Sequence, residues 1–191
     1  MSKQKKNIDN ILKQSLKLFR QKSYHNTSIA DIAEACGLLK GSLYHYFPSK
    51  EALMIAVIKY AYNYFQVKVF SIAYDDSLNA QEKIELMFER SKSVLLSDGD
   101  IMSNIGVETA RDNSEFAEFI RAFFTDWMKA VKTIFMEITN EEDAEKLAEQ
   151  TVAEFEGAVM MTRIFKDSSF IDNAYNRLID RFAAFSLSPK I

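Results

Sequence analysis

The sequence predicts an all-α chain of about nine helices, with a small N-terminal three-helix head on a larger helical body. Three observations carry this. Five glycines and two prolines are all that interrupt 191 residues, and long stretches without either favour helix. Apolar residues recur at helical spacing, with no period-two alternation of the kind a half-buried strand shows. Short polar clusters (DDSLN, SDGD, RDNS, TNEED, KDSS) cut the C-terminal two-thirds into helix-length pieces.

In chain order, residues 8–22 place Ile8, Ile11, Leu12, Leu16 and Phe19 on one helical stripe. Ser28 and Asp31 have capping-box spacing, so a second helix starts there. Its apolar face is Ile29, Ile32, Ala33 and Cys36, and Gly37 suits the left-handed residue that stops it. A third short helix spans 40–47 and is barred from continuing by Pro48. Ser49 caps a long helix through KEALMIAVIKYAYNYFQVKVFSIAY, which contains no breaker. Helices are then expected over 79–97, 102–111, 115–138, 141–166 and 169–185. The domain boundary falls near residue 50, with a 1–50 head and a 51–191 body. So small a head requires docking on the long fourth helix to be stable.

Composition narrows the function. Hydrophobic residues make up 48% and charged residues 27%, enough for a real core. A single cysteine, Cys36, excludes an internal disulfide and suits a reducing cytoplasm. No run of 18 apolar residues is present, and MSKQKKNIDN lacks the apolar core of a signal peptide, so a cytoplasmic protein is expected. The formal net charge is −3, but it is unevenly spread. Residues 1–50 hold nine Lys/Arg against three acids, a net of +6, which leaves −9 for the rest. A basic head on an acidic body points to a polyanion at the head.

The residues that would meet it lie in KGSLYHYFPSKE, residues 40–51. A short helix, a glycine turn and a second short helix form helix-turn-helix geometry, whose second helix enters the major groove of DNA. Gly41 lets the backbone approach closely. Ser42, Tyr44, His45 and Tyr46 offer hydrogen bonds, and Lys40 and Lys50 neutralise phosphates at either end. Leu43 and Phe47 hold the helix on its own core. Both histidines lie in the head, so no Ser-His-Asp set is plausible. His25, His45 and Cys36 are too poorly spaced for a metal site. No glycine-rich phosphate loop is present, and no cofactor is expected.

The stretch TSIADIAEACGLLKGSLYHYFPSKEAL resembles the DNA-binding signature of the TetR family of bacterial transcriptional regulators. The family pattern is a Thr-containing cap, Ile-Ala, a helix-ending Gly, Lys-Gly, Leu-Tyr, an aromatic-Phe pair and Ser-Lys-Glu. FEGAVMMTRIFKD in the body is weakly similar to a segment of such regulators. The resemblance implies a homodimeric repressor of an operator in double-stranded DNA, released by a small, largely apolar effector. It further implies dimerisation through the last two helices, 141–166 and 169–185, whose apolar stripes suit a four-helix interface. It marks Thr27, Ser42, Tyr44 and Lys50 as phosphate contacts, with Lys40, Gly41, His45 and Tyr46 at or near the groove. Ser28 joins this set as the cap beside Thr27. Two positions depart from the pattern. Leu39 stands where the family usually has Ser or Thr, and Tyr46 where many relatives have His.

For the effector, the aromatic and methionine residues of the body are the candidates: Met102, Phe124, Trp127, Met128, Phe155 and Met160, with Glu108 as an orienting polar group. Phe116, Phe123 and Met161 lie on the same stripes, and Asn104, Arg111 and Arg163 are further polar groups within them. The alternative is a helical small-molecule binding protein or enzyme without a DNA role.

Overall fold

The computed structural model describes residues 3–98, 101–109 and 115–186. Among the described residues are nine α-helices and no strand: α1 (Lys3–Lys22), α2 (Ile29–Ala35), α3 (Lys40–Tyr46), α4 (Lys50–Lys68), α5 (Ala80–Asp98), α6 (Ile101–Thr109), α7 (Glu115–Phe135), α8 (Glu141–Phe165) and α9 (Ser169–Ser186). Residues 99–100 and 110–114, on which two expected turns and Arg111 fall, lie outside the described residues. No described helix is long and apolar enough to cross a membrane.

Packing divides the chain into two compact units, Met1–Asn63 with Asp100–Arg121 and Tyr64–Gly99 with Ala122–Ile191. Helices α4 and α7 each contribute to both.

In the first unit, α1 packs on α2 and α6, and α2 on α3. The fully buried line of α1 is Ile11, Ser15 and Phe19, while Ile8, Leu12 and Leu16 are only half-buried. The expected stripe was therefore rotated: a small serine, not a leucine, faces the centre of the head. The capping box forms as the spacing predicts. The Asp31 amide donates to Ser28 Oγ at 3.1 Å, and the Ser28 amide to Asp31 Oδ2 at 2.8 Å. Gly37 has φ +65°, and the Gly37 and Leu38 amides close back on the Glu34 and Ala33 carbonyls at 3.0 and 2.8 Å. That is the Schellman pattern, which only a residue at ease in the left-handed region adopts without strain. The Ala52 amide donates to Ser49 Oγ at 3.1 Å, so Ser49 caps α4.

The long fourth helix ends sooner than expected. It stops at Lys68, and Phe70–Tyr74 form a short 3-10 helix. The burial pattern supplies the reason. Val69, Phe70, Ile72 and Ala73 are buried, while Ser71 and Tyr74 are exposed. That period of three fits three residues per turn and not 3.6.

In the second unit, α8 and α9 pair more extensively than any other two elements, and α5 packs on the 3-10 helix and on α9. Asn140 caps α8 by accepting the Asp143 amide at 3.0 Å. Lys166, in the left-handed region at φ 54°, ends it. Glu154 on α8 binds Arg177 and Arg181 on α9, the latter at 2.7 Å. Burial alone would raise the Glu154 carboxyl, but the two guanidiniums outweigh it and hold it below the ordinary range. Lys83, nearly buried on α5, pairs with Glu137 at 2.5 Å.

Candidate nucleic-acid interface and effector cavity

Helix α3 has one fully buried residue, Leu43. Phe47 just beyond the helix is half-buried, and Lys40, Gly41, Tyr44 and His45 face solvent. Tyr44 is 43% exposed, a large ring left outside a core that had room for aromatics elsewhere. A Cβ built on Gly41 would meet nothing within 4 Å. The chain's own packing therefore does not demand glycine there. Ser42 is half-buried beside it.

Lys50 is not a free-swinging cation. Its Nζ sits 4.3 Å from the centroid of the Tyr24 ring, a cation–π contact. Tyr24 is held in turn by Phe19 and Phe116, at 5.7 and 5.4 Å between ring centroids. Its hydroxyl donates to Glu51 Oε1 at 3.2 Å. Burial, then the Glu51 charge, pushes the phenol up to about 12, so it stays a donor at any physiological pH. The cation–π contact holds Lys50 in one preferred geometry at the start of α4.

Two expected contacts are placed differently. Thr27 is buried, and its hydroxyl donates to the Ser23 carbonyl at 2.7 Å, tying down the α1–α2 turn. Tyr46, expected to point outward, is half-buried, and its hydroxyl accepts from Asn7 Nδ2 of α1 at 3.0 Å. The tyrosine has the reach to bridge to α1 from the last turn of α3. Ser28 is exposed but engaged in its capping box.

The effector candidates separate into three groups. Trp127 and Phe155 line a cavity of about 30 Å3 within the second unit. Its other walls are Ile84, Met87, Phe88 and Ser91 of α5, Val131 of α7, Thr151 of α8 and Leu178 of α9. Phe124 and Met128 are half-buried nearby in sequence, and Phe124 stacks on Trp127 at 6.3 Å. Met102 and Glu108 do not join this cavity: they belong to α6, in the first unit. Met160 is exposed with Ile164 and Phe165 on the last turns of α8. A second hollow, of about 350 Å3, is lined by Gln66, Phe70, Ser71, Tyr74, Asp126 and Lys129. It is an open groove lined by polar and apolar groups together.

Comparison with known proteins decides the class. The sequence model of the bacterial regulatory proteins of the tetR family matches residues 11–57. That of the LmrA/YxaF-like transcriptional regulator C-terminal domain matches 79–177, more than half of the chain. The chain belongs to the TetR family of transcriptional regulators. Among TetR relatives, the repressor DhaR of Mycobacterium sp. (strain GP1) is 22% identical over 168 residues, 85% of each chain. The regulator YuxN of Bacillus subtilis is 44% identical over 62 residues, but these span only 32% of this chain and 21% of YuxN. A TetR regulator from Chloroflexus aurantiacus superposes with a TM-score of 0.82 at 28% identity, covering 93% of this chain and 94% of that one.

Two sets of residues at these places carry no spacing signature in the sequence. Tyr24 lies outside the 40–51 stretch, and no spacing rule links it to Lys50. Met87, Phe88, Ser91 and Thr151 sit on helical stripes with the pattern of ordinary core. The available signal was a small hydroxyl set in an apolar stripe, as Ser91 after Ile84, Met87 and Phe88, or Thr151 between Leu147 and Phe155.

Proposed function

We propose that this TetR regulator is a homodimeric repressor whose two α3 helices enter successive major grooves of an operator, and that a small, largely apolar effector releases it. The observation that carries the reading is the outer face of α3. Tyr44, His45, Lys40 and an unhindered Gly41 all face solvent. Ser42 and Lys50 complete the contact, with Tyr46 at its edge and Ser28 and buried Thr27 positioning the turn before α2. The head, residues 1–50, is the DNA-binding domain, and 51–191 the effector-binding and dimerisation domain, acting in the cytoplasm.

Dimerisation runs through α8 and α9. Exposed Met160, Ile164 and Phe165 support this, being apolar surface of the kind an isolated chain rarely leaves open. A two-fold dimer of such readers addresses half-sites about 34 Å apart, one helical turn, or further for longer operators. An effector in the apolar cavity acts by binding better to a conformation whose readers no longer match that spacing. It shifts the equilibrium only by that difference in affinity.

The test is an anisotropy titration of the full chain on its own promoter fragment across a salt series. Tight binding with a steep log–log salt slope is expected. Equal affinity for random DNA, or a slope near zero, overturns the reading.

A further inference from the structure

We infer that the apolar cavity selects an uncharged aromatic molecule that carries a hydrogen-bond donor, of which a phenol is the simplest form. The inference rests on the effector reading above and deepens it. The cavity has two polar wall residues, Ser91 and Thr151. Both are buried, and both have already committed their single proton. Ser91 Oγ donates to the Met87 carbonyl at 2.8 Å, and Thr151 Oγ1 to the Leu147 carbonyl at 2.7 Å. What each hydroxyl has left is lone pairs. A ligand group that donates satisfies them, and a ligand group that only accepts meets oxygen against oxygen.

The remaining walls fix the rest of the class. Trp127, Phe88 and Phe155 offer ring faces and edges. Among the described residues no wall residue is charged, and Lys92, 5.7 Å from the Phe88 ring centroid, is already paired with Asp172. A carboxylate or ammonium in the cavity would therefore lose hydration with no unpaired opposite charge to replace it.

At about 30 Å3 the cavity holds about one water, whereas a benzene-sized guest takes about 150 Å3. The aromatic-binding state is therefore an expanded one. Met87 is unbranched and adapts to irregular space. Phe88 is half-buried and stacks on Tyr175 at 4.0 Å, so it has a surface partner to slide over. Affinity is lowered by the fraction of molecules in the expanded state, which affects every guest alike and leaves the donor preference intact.

Trp127 is the single tryptophan of the chain, so its fluorescence reports on this wall alone. Phenol, anisole, toluene and benzoate are titrated into the full chain at neutral pH, with calorimetry as the second readout. Phenol is expected to bind about tenfold tighter than anisole, whose oxygen is methyl-capped, and benzoate not at all. Thr151→Val with Ser91→Ala is expected to bring phenol down to the anisole value while toluene is unchanged. Thr151→Ser, which keeps the acceptor and tests for mere misfolding, is expected to preserve the preference. Anisole or toluene equal to phenol overturns the donor requirement, and benzoate binding overturns the uncharged class. Failure of all four overturns the inference outright. The expected order without any loosening of operator DNA supports the ligand class but overturns the cavity's role as effector site.

Discussion

The outer face of α3 and the cavity among α5, α7, α8 and α9 are built from similar amphipathic helices, yet they carry function in opposite ways. On α3 the functional candidates are residues with no internal work: Tyr44 and His45 are exposed, and Gly41 has empty space around it. In the cavity they are residues with internal work left incomplete. Ser91 and Thr151 sit in core stripes and satisfy their protons, but not their lone pairs. A surface that reads DNA is thus an excess over what folding needs, and a cavity that reads a small molecule is a deficit within it. The two should fail independently.

The sharpest way to break that comparison is Tyr44→Ala with Lys50→Ala. Operator affinity should fall on the order of a hundredfold, and the salt slope should drop by about 0.9 for the lost phosphate contact. Thermal stability should fall only slightly: Tyr44 is 43% exposed, and Lys50 gives up one cation–π contact with the Tyr24 ring, worth about 0.5–1 kcal/mol. Phenol affinity should not move. An equal loss of both ligands in one variant would show that the two regions are a single cooperative site.

The second unit is tested through its own polar clamp. Glu154→Gln should cost about 1–3 kcal/mol: the amide oxygen still accepts from one arginine, but its NH2 turns a donor against the other, and both guanidiniums lose their counter-charge. Because the folded carboxyl is held below its ordinary value near 4.5, the clamp's contribution is complete above that value. It is lost as pH falls through the lower, folded value. Urea midpoints of the parent and the variant should therefore differ at pH 7 and converge under acid. A gap that persists unchanged at low pH would mean the glutamate stabilises by packing.

The difference between the regions also accounts for what the sequence made legible. The head was readable because its elements are set by local chemistry. The Ser28–Asp31 box, the left-handed Gly37, Pro48 and the Ser49 cap each act over three or four residues, and each stands where the spacing put it. What local chemistry does not set departs from the spacing. The break after Lys68 depends on burying Val69, Phe70, Ile72 and Ala73 together. Tyr46 turns to Asn7, 39 positions away in sequence. The cavity is harder still. It is a gap where four helices meet, and Ile84, Trp127, Thr151 and Leu178 share no spacing along the chain. Nothing in a helical stripe marks which of its residues face a partner and which face empty space, so Met102 and Met160 looked as eligible as Trp127.

Gly41→Ala separates folding from reading at one position. Glycine within a helix is about 0.8–1.0 kcal/mol less favourable than alanine, and the added methyl meets nothing in the chain. The free protein should gain up to about that much in stability. Operator affinity should nevertheless fall, since the methyl stands where the backbone approaches DNA. A variant that is more stable and binds as tightly would remove Gly41 from the interface.

The smallest effect is expected one step earlier, at the start of α3. Leu39 occupies the N-cap, makes no side-chain cap hydrogen bond, and is 79% exposed. The first amides of α3 therefore lack the side-chain acceptor that Ser28 gives α2. Leu39→Ser supplies a hydroxyl at an already extended backbone, φ −74° and ψ 147°, as an N-cap requires. It takes nothing out of the core. A gain of up to about 1 kcal/mol is expected, with operator affinity unchanged or slightly improved as the reading helix frays less. A clear fall in melting temperature would mean that the leucine is covered in solution. A gain in stability with weaker operator binding would instead place Leu39 itself against the DNA.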